Sequence, residues 1–450
     1  MNGVESVEVS AAAPRSLGLD MAIALVVGEV IGVGIFLTPA DMIKALGSPF
    51  WVLVVWLVVG TTALCGALCY GELASRFPHA GGGYVYLREA WGPGVAFLYG
   101  WKSLLVMDPG LTAALAAGFA RYFAVLVPLG APGQKGVAIA TILILAVISA
   151  LGARVGSGMV RFLTVIKLGL LGIIVVWGFA SGRGSWSNFH PFVEQRPGSA
   201  PLIAGLVGGL IGAFFSFGGF WDISKIGGEV RNPTRTLPRA LGYGVGIVTL
   251  VYILTTAAFI YLVPIETVSS GEAFAAQAGA VLFGTNGGHI FTAIVLIAIA
   301  SSLAAVQIVA PRVYFAMARD GSFPASVGRL HPRFGTPARA IAIQAVLACL
   351  VVALATFEAI LAYFVFVTIA FIALTIAGLY RLPRPQGDAF RLPGYPATPA
   401  AFIALLAVLL VLLASGKPRE AALGTCVVAL GYPIYRFVVQ PRQQRLQEKN

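Results

Sequence analysis

Long apolar runs separated by short polar segments make up most of this chain. A helix needs about 20 predominantly apolar residues to cross ~30 Å of hydrocarbon, and about twelve runs reach that length. The first, third, sixth and eighth runs are longer than one crossing needs, which allows a tilted or interrupted helix. We number these runs spans one to twelve; they cover residues 18–45, 50–73, 91–127, 136–152, 158–180, 202–229, 238–263, 288–318, 338–355, 358–380, 397–414 and 419–438. The pattern predicts an all-α integral membrane protein.

The composition agrees with this prediction. Hydrophobic residues make up 58% of the chain and charged residues only 11%, whereas about 25% of the residues of a soluble domain are charged. Most of the surface must therefore face hydrocarbon. No polar interruption is long enough to form a soluble domain, so residues 1–450 are predicted to be one transmembrane domain, with tails at 1–16 and 439–450.

The net charge of +12 could suggest a nucleic-acid partner, but the basic residues are scattered in short clusters between the spans. Placing the N-terminus in the cytoplasm puts about three times as many Lys and Arg residues on the cytoplasmic side as outside, as the positive-inside rule requires. We therefore expect no nucleic acid, a cytoplasmic (inner) membrane location, and both termini in the cytoplasm. The polar start of the chain has no cleavage site after a short apolar core, so we expect no secretory signal.

The residue types that carry catalysis or bind metals are sparse. The four histidines lie at loops or helix ends, and the four cysteines lie in apolar runs without metal-ligand spacing. We therefore predict that the chain is not an enzyme and has no catalytic residues, no metal and no cofactor. A channel would need a selectivity filter or polar rings on a symmetric pore, and the spans show neither.

Two spans contain glycine pairs that weaken a helix. Span one contains GEVIGVGIF (28–36), and span six contains FFSFGGFW (214–221). Glycine costs about 1 kcal/mol relative to alanine in a helix and admits non-helical backbone. Close packing of helices is the alternative reason for such glycines, since small residues let transmembrane helices approach each other.

Together, the two segments indicate more than packing. Spans one and six occupy corresponding positions if the chain consists of two five-helix repeats, 18–180 and 202–380, followed by two additional helices at 397–438. Paired interrupted helices near the middle of the membrane indicate a transporter binding site. An unwound helix offers N–H donors to a carboxylate and C=O acceptors to an ammonium group, so this site suits a zwitterion.

Five further strings, in order along nearly the whole chain, resemble the amino acid–polyamine–organocation transporters, and within that superfamily the L-amino-acid transporter group. They are GALCYGEL (66–73), PHAGGGYVYL (78–87), GEVRNP with LPRA (228–240), MARDGSFP (317–324) and RLPGYP (391–396). The resemblance implies a LeuT-like 5+5 inverted-repeat fold with broken helices one and six, two C-terminal helices, and transport by alternating access.

The resemblance also implies which residues bind substrate. The carboxylate is expected at the amides of Val33 and Gly34, and the ammonium group at the carbonyls of Val30, Phe215 and Gly218. Phe220 stands where the family usually has a gating tryptophan, and Val33 stands where many relatives have serine or alanine. A branched side chain at position 33 narrows the pocket and favours small or medium neutral amino acids. The full predicted site is Val30, Ile31, Gly32, Val33, Gly34, Ile35, Phe215, Ser216, Phe217, Gly218, Gly219 and Phe220.

Four ionisable residues fall within the spans: Glu29, Lys102, Asp108 and Lys167. Burying each costs roughly 2.5–3.5 kcal/mol on insertion scales, so each is a candidate for function. Lys102 and Asp108 could equally form a structural ion pair, within span three or with another helix. By resemblance, the Lys167 ammonium occupies the place of a sodium ion in sodium-driven relatives and braces the broken first helix, which predicts transport without sodium.

Glu29 precedes the break in span one, where relatives usually have an uncharged residue. It is a candidate for binding and releasing a proton, and a structural ion pair with a base is the alternative. The Lys225–Arg239 cluster, with Asp222 and Glu229, follows the break in span six on the cytoplasmic side. A solvated loop is the default interpretation of this segment, and a cytoplasmic gate made of ion pairs is the functional one.

The predicted function is sodium-independent amino acid transport, either by exchange or by proton symport. The alternatives are a sensor or receptor built on a transporter fold and a carrier of other small amines such as polyamines. The predicted partners are the amino acid, the lipid bilayer and, for symport, protons. The outer loop 127–136 has no cysteine, so we expect no obligatory glycoprotein subunit.

Overall fold

The computed structural model describes residues 15–32, 34–268, 271–354, 357–385, 387, 389–416 and 418–447. Within these residues the secondary structure is helical, apart from two isolated β-bridges that join Leu17 to Val230 and Ala80 to Ile226. The α-helices are Leu19–Val30, Gly34–Leu46, Pro49–Arg76, Gly83–Trp91, Pro93–Lys102, Asp108–Leu126, Ala131–Ala150, Ala153–Ala180, Leu202–Ser216, Pro233–Leu262, Gly271–Phe283, Gly287–Val309, Pro311–Arg319, Ala338–Leu354, Phe357–Ala377, Ala397–Gly416, Pro418–Ile434 and Gln440–Gln447.

The described helices account for all twelve predicted spans. Nine are long and apolar enough to cross a membrane, one bent pair forms span one, and two shorter apolar helices form spans nine and ten. The predicted fold class, an all-α membrane protein of about twelve spans, is confirmed. The division into repeats at 18–180 and 202–380 stays a prediction. The short helices Gly83–Trp91 and Gly271–Phe283 lie between spans and were not predicted.

The exterior of the bundle is apolar, as a lipid-facing surface must be. Large hydrophobic side chains are exposed on several spans, including Phe162, Val176, Ile203 and Phe437, each more than 60% accessible. Exposed apolar surface on this scale is rare in soluble monomers and marks contact with membrane or protein. The chain is therefore a multi-pass membrane protein.

Span one is interrupted as the glycines predicted. Its first half, Leu19–Val30, ends where Ile31 adopts a non-helical ψ of 80°. The second half, Gly34–Leu46, continues at an angle of 44°. The first half packs against spans five, seven and eight, while the second half packs against span six, so the break lies at the centre of the bundle.

Span six is interrupted at the same level of the bundle. Its helix ends at Ser216, a turn follows, and the chain resumes as the 3-10 segment Phe220–Lys225. Within the turn Gly219 has φ +104°, which a residue with a side chain rarely adopts. The glycines also allow close packing, the alternative interpretation. A Cβ on Gly34 would lie 2.9 Å from the Cα of Ser216, so the two broken spans approach each other closely there.

Candidate substrate and coupling site

A hollow of about 70 Å³ lies between the two breaks. This volume has room for about five water-sized groups, a scale that suits a small amino acid. The lining comes from both breaks and from spans three, eight and ten. It consists of Glu29, Val30, Gly32, Gly34, Met107, Leu111, Leu115, Phe214, Phe215, Ser216, Gly218, Gly219, Trp221, Val306, Val365, Thr368 and Ile369.

The break in span one is held by a lysine from span five and a serine from span eight. The ammonium group of Lys167 donates to the carbonyl oxygens of Gly28 (2.9 Å) and Ile31 (2.6 Å). The hydroxyl of Ser302 reaches the same two oxygens at 2.7 and 3.1 Å. Lys167 is fully buried. Its terminal nitrogen thus donates to two carbonyl oxygens at the break. Resemblance alone assigned this place to Lys167.

A tyrosine joins the two breaks. The hydroxyl of Tyr252, on span seven, lies 2.9 Å from the carbonyl oxygen of Val30 and 2.8 Å from that of Ser216. Because a phenol has one hydrogen to donate, the two acceptors share it. No pattern in the sequence indicated this role, since Tyr252 is one of several hydroxyl side chains within a long apolar run.

Two of the three carbonyls predicted to accept the substrate ammonium already have partners. The Val30 oxygen accepts from the amide of Gly32 at 2.8 Å as well as from Tyr252. The Phe215 oxygen accepts from the amide of Gly218 at 3.0 Å. A carbonyl has two lone pairs, so the Val30 oxygen must release a partner before it can bind an ammonium group, whereas the Phe215 oxygen has one lone pair left.

Not all predicted site residues contact the hollow. Val30, Gly32, Gly34, Phe215, Ser216, Gly218 and Gly219 line it. Ile31, Ile35 and Phe217 are fully buried elsewhere in the core, and Phe217 packs on Trp56 and Tyr252. Val33 lies outside the described residues, so the expected carboxylate contact at its amide stays a prediction.

The predicted gate residue, Phe220, also lies outside the lining. It is fully buried, and its ring contacts Tyr70, Trp221 and Phe402. The adjacent Trp221 lines the hollow instead, and its indole nitrogen has no hydrogen-bond partner among the described atoms. The tryptophan that lines the hollow therefore lies one position further along the chain than the predicted gate residue.

Four buried charges connect span three with the two breaks. Lys225 lies 3.1 Å from Asp108 and 3.0 Å from Asp222, and all three side chains are at most 1% exposed. Tyr314 donates to the other oxygen of Asp108 at 2.8 Å. Glu29 packs against the break in span six, where a Cβ on Gly219 would lie 2.9 Å from its Cγ, and its carboxyl group faces that of Asp222, three residues further along.

These positions decide the open alternatives for the intramembrane charges. Asp108 pairs with another element, the segment after the break in span six, and not with Lys102. The Lys102 ammonium instead contacts the sulfur of Met107 at 2.8 Å and the ring of Tyr99 at 4.4 Å. Between Lys102 and Asp108, the helix of span three contains the π-helical turn Ser103–Met107.

The solvated-loop interpretation of the Lys225–Arg239 cluster is wrong for Asp222, Lys225 and Glu229, whereas Arg231, Arg235 and Arg239 are exposed, as it predicts. Asp222 and Lys225 are buried in the cluster just described, and Glu229 is 5% exposed. Glu229 forms an ion pair with the equally buried Arg312 at 2.9 Å. Its backbone oxygen also accepts the amides of Ser16 and Leu17, which ties the start of span one to this segment.

A broad basic cavity lies against this ion pair. Its volume is about 570 Å³, and it is lined by Arg15, His79, Arg88, Arg319 and Asp320, among others. Arg88 pairs with Asp320 and Glu89. Burial lowers the pKa of this guanidinium, but the two carboxylates together raise it by more, so the net shift is upward. Within the described residues no group of three or more His, Cys, Asp or Glu side chains could hold a metal ion.

Comparison with known proteins places this arrangement in context. A sequence profile of the amino acid permease family matches residues 17–432. The chain is 30% identical over 429 residues to the serine/threonine exchanger SteT of Bacillus subtilis (strain 168), covering 94% of this chain and 96% of that protein.

Two human proteins are also similar. The b(0,+)-type amino acid transporter 1 is 30% identical over 375 residues, covering 81% of this chain and 75% of its own length. The cystine/glutamate transporter is 27% identical over 444 residues, covering 96% and 87%. These proteins are named as exchangers or transporters of amino acids.

Proposed function

The chain belongs to the amino acid permease family, within the amino acid–polyamine–organocation superfamily, and we propose that it carries small or medium neutral L-amino acids by alternating access without sodium. Membership of this family shows that the chain is a membrane transporter of amino acids. The substrate class, the independence from sodium and the coupling mode are proposals that draw on the geometry of the site.

The bonds of Lys167 carry the proposal of sodium independence. A fixed ammonium group already occupies the carbonyl oxygens of Gly28 and Ile31, which are the kind of hard oxygen ligands that a sodium ion would need. With a covalently attached cation in this place, no ion has to bind before the break in span one is stable. Removing sodium should therefore leave the rate unchanged.

The size and lining of the hollow support the proposed substrate class. Its volume of about 70 Å³ and its Leu, Met and Phe side chains suit a small side chain better than a long cationic one. The name of one relative, a serine/threonine exchanger, agrees with small neutral substrates. The amide of Gly34 and the carbonyls of Phe215 and Gly218 are the proposed contacts of the zwitterion.

Exchange is the proposed basic mode, because one of the similar proteins is named an exchanger. Proton symport is the second candidate. It is favoured by one observation, the buried carboxyl of Glu29 at the wall of the hollow, whose Oε1 has no partner among the described atoms.

Flux measurements in proteoliposomes test the proposal. Uptake of a labelled amino acid should be saturable, should be stimulated by internal unlabelled amino acid, and should be equal in sodium and choline buffers. Competition across the natural amino acids should rank alanine, serine and threonine above arginine, and polyamines should not compete. Stimulation by a sodium gradient would refute the sodium proposal, and binding without flux would indicate a sensor.

We also propose that both termini lie in the cytoplasm and that the chain works without a disulfide-linked glycoprotein subunit. The basic residues of alternate loops support this orientation. The four free cysteines, Cys65, Cys69, Cys349 and Cys426, all lie within spans. Accessibility of engineered cysteines at positions 135 and 333 to a membrane-impermeant reagent would test the orientation: position 135 should react from outside and position 333 from the cytoplasm.

A further inference from the structure

The contact between Glu29 and Asp222 is unusual because both groups are acids and both are buried. Glu29 is 6% exposed and Asp222 is inaccessible. Glu29 ends the first half of span one, and Asp222 lies in the segment after the break in span six. As two carboxylates they have no hydrogen to donate. Oε1 of Glu29 and Oδ1 of Asp222 have no hydrogen-bond partner among the described atoms, and Oδ2 of Asp222 has the Lys225 ammonium 3.0 Å away. One proton would supply the missing donor.

We propose that Glu29 and Asp222 together form a proton-binding site, in which one proton is held between the two carboxyl groups and moves with the amino acid. The inference rests on the proposed function in one respect, since it presupposes that the chain carries amino acids. It adds the coupling ion and the two residues that bind it.

The charges around the pair set its proton content. Three buried carboxyls, Glu29, Asp222 and Asp108, lie with one lysine that pairs with acids, Lys225. Fully ionised, these four groups have a net charge of −2, and one added proton reduces it to −1. Because net charge is costly in a low-dielectric interior, binding one proton stabilises the cluster. Lys225 lies within 4 Å of both Asp108 and Asp222, whereas Glu29 has no basic partner within 4 Å among the described atoms. The proton is therefore expected at Glu29.

The other titratable groups that face the pair are phenols. Tyr70 faces it from span two, Tyr99 from span three, and Tyr314 from the last helix of span eight, Pro311–Arg319. All three are neutral hydroxyls in ordinary solution near neutral pH, and Tyr314 already donates to Asp108. They can orient the carboxylates but do not change the charge count.

The position of the pair couples the proton to conformational change. Glu29 and Asp222 belong to the two broken spans, and both adjoin the hollow: Glu29 lines it directly and Asp222 follows Trp221. With a proton between them, the carboxyls attract each other and hold the breaks together around a substrate. Without it, two carboxylates repel each other in a low-dielectric setting and favour separation of the breaks. Proton and amino acid thus stabilise the same closed state.

Wild-type protein alone provides the first test. Proteoliposomes without internal amino acid, held at zero membrane potential, receive an inside-alkaline gradient of one pH unit. With one proton per neutral amino acid, labelled alanine should accumulate about tenfold, since one pH unit corresponds to a factor of ten. A pH dye trapped inside should report acidification on adding alanine. If exchange occurs but the gradient drives no accumulation, the proton site is wrong and the transport proposal stands. If neither flux occurs, the transport proposal itself is wrong.

Variants then assign the site. In Asp222→Asn and Glu29→Gln proteins, the accumulation ratio should fall from about ten to about one. Substrate affinity, measured by binding to the purified proteins across pH, should lose its pH dependence; a merely structural defect would lower affinity equally at every pH. The matched control is Asp20→Asn, which removes a carboxylate from the same half of span one, where Asp20 forms an exposed pair with Arg161. It should keep the wild-type ratio. A wild-type ratio in Asp222→Asn would overturn the assignment.

Discussion

Replacing Lys167 by methionine tests how the broken first span is stabilised. Methionine keeps an unbranched apolar side chain but removes the ammonium group that donates at 2.9 and 2.6 Å to Gly28 and Ile31. A hydrogen bond to a charged group contributes about 1.5–3 kcal/mol net. Two such bonds are lost in the variant. Two effects offset part of this loss: the Ser302 hydroxyl still reaches both oxygens, and the cost of burying the lysine charge disappears.

The net expectation is a loss of about 3 kcal/mol, or roughly 100-fold in the population of the competent break. Exchange of labelled alanine in proteoliposomes should therefore fall by about two orders of magnitude in Lys167→Met protein. The melting temperature of the solubilised protein should fall as well. Lys135→Met is the matched control, because Lys135 also donates to a backbone oxygen, that of Ala353 at 2.7 Å, but from an exposed position.

A smaller side chain sharpens the experiment. Lys167→Ala leaves space beside the same carbonyl oxygens and Ser302, so sodium should restore part of the lost exchange in this variant and none in Lys167→Met. Wild-type exchange in Lys167→Met protein would refute the reasoning, since the break would then be stable without its cation. Equal loss in Lys135→Met would show that the effect is not specific to the break.

Three further substitutions have definite expected outcomes. Tyr252→Phe removes the hydroxyl shared by the two breaks; substrate affinity should fall about tenfold, for a loss of about 1–2 kcal/mol, and an unchanged binding isotherm would contradict this role. Gly219→Ala forces a residue with a side chain into φ +104°. It should destabilise the protein by about 1–3 kcal/mol, measured as a lower melting temperature. Gly172→Ala is the control: a Cβ there has no neighbour within 4 Å, so this substitution should be neutral or slightly stabilising. Arg312→Gln leaves the buried Glu229 unpaired and should destabilise the protein by about 3–5 kcal/mol; the double variant with Glu229→Gln should recover part of this in the same melting assay, and no recovery would show that the two residues are not coupled.

Much of the fold follows from the sequence because membrane helices are selected by a local property. A run of apolar residues long enough for the bilayer forms a helix regardless of its neighbours, since unpaired backbone is too costly in hydrocarbon. The number of spans and the interruptions at Gly32 and Gly219 were therefore readable from composition and glycine placement alone. The role of Lys167 was predicted only through the family resemblance. Residue spacing alone could not show that Lys167 lies beside the break in span one.

The polar site is different, because its members come from distant parts of the chain. Tyr252 meets Val30 across 222 positions, and Ser302 meets Gly28 across 274. In helices that are apolar on all sides, no periodicity shows which face points inward. The sequence therefore could not show that Trp221 and not Phe220 lines the hollow, or that Lys225 leaves its loop to pair with Asp108.

The sequence by itself determined which segments cross the membrane, where two of them come apart, and that Glu29, Lys102, Asp108 and Lys167 must be buried. Only the tertiary structure decided which of those charges meet. Span formation depends on the free energy of transferring each segment to lipid, a sum over neighbouring residues. The pairing of Lys225 with Asp108 and of Arg312 with Glu229 depends on how packed helices bring remote side chains within 4 Å, and no local sum contains that information.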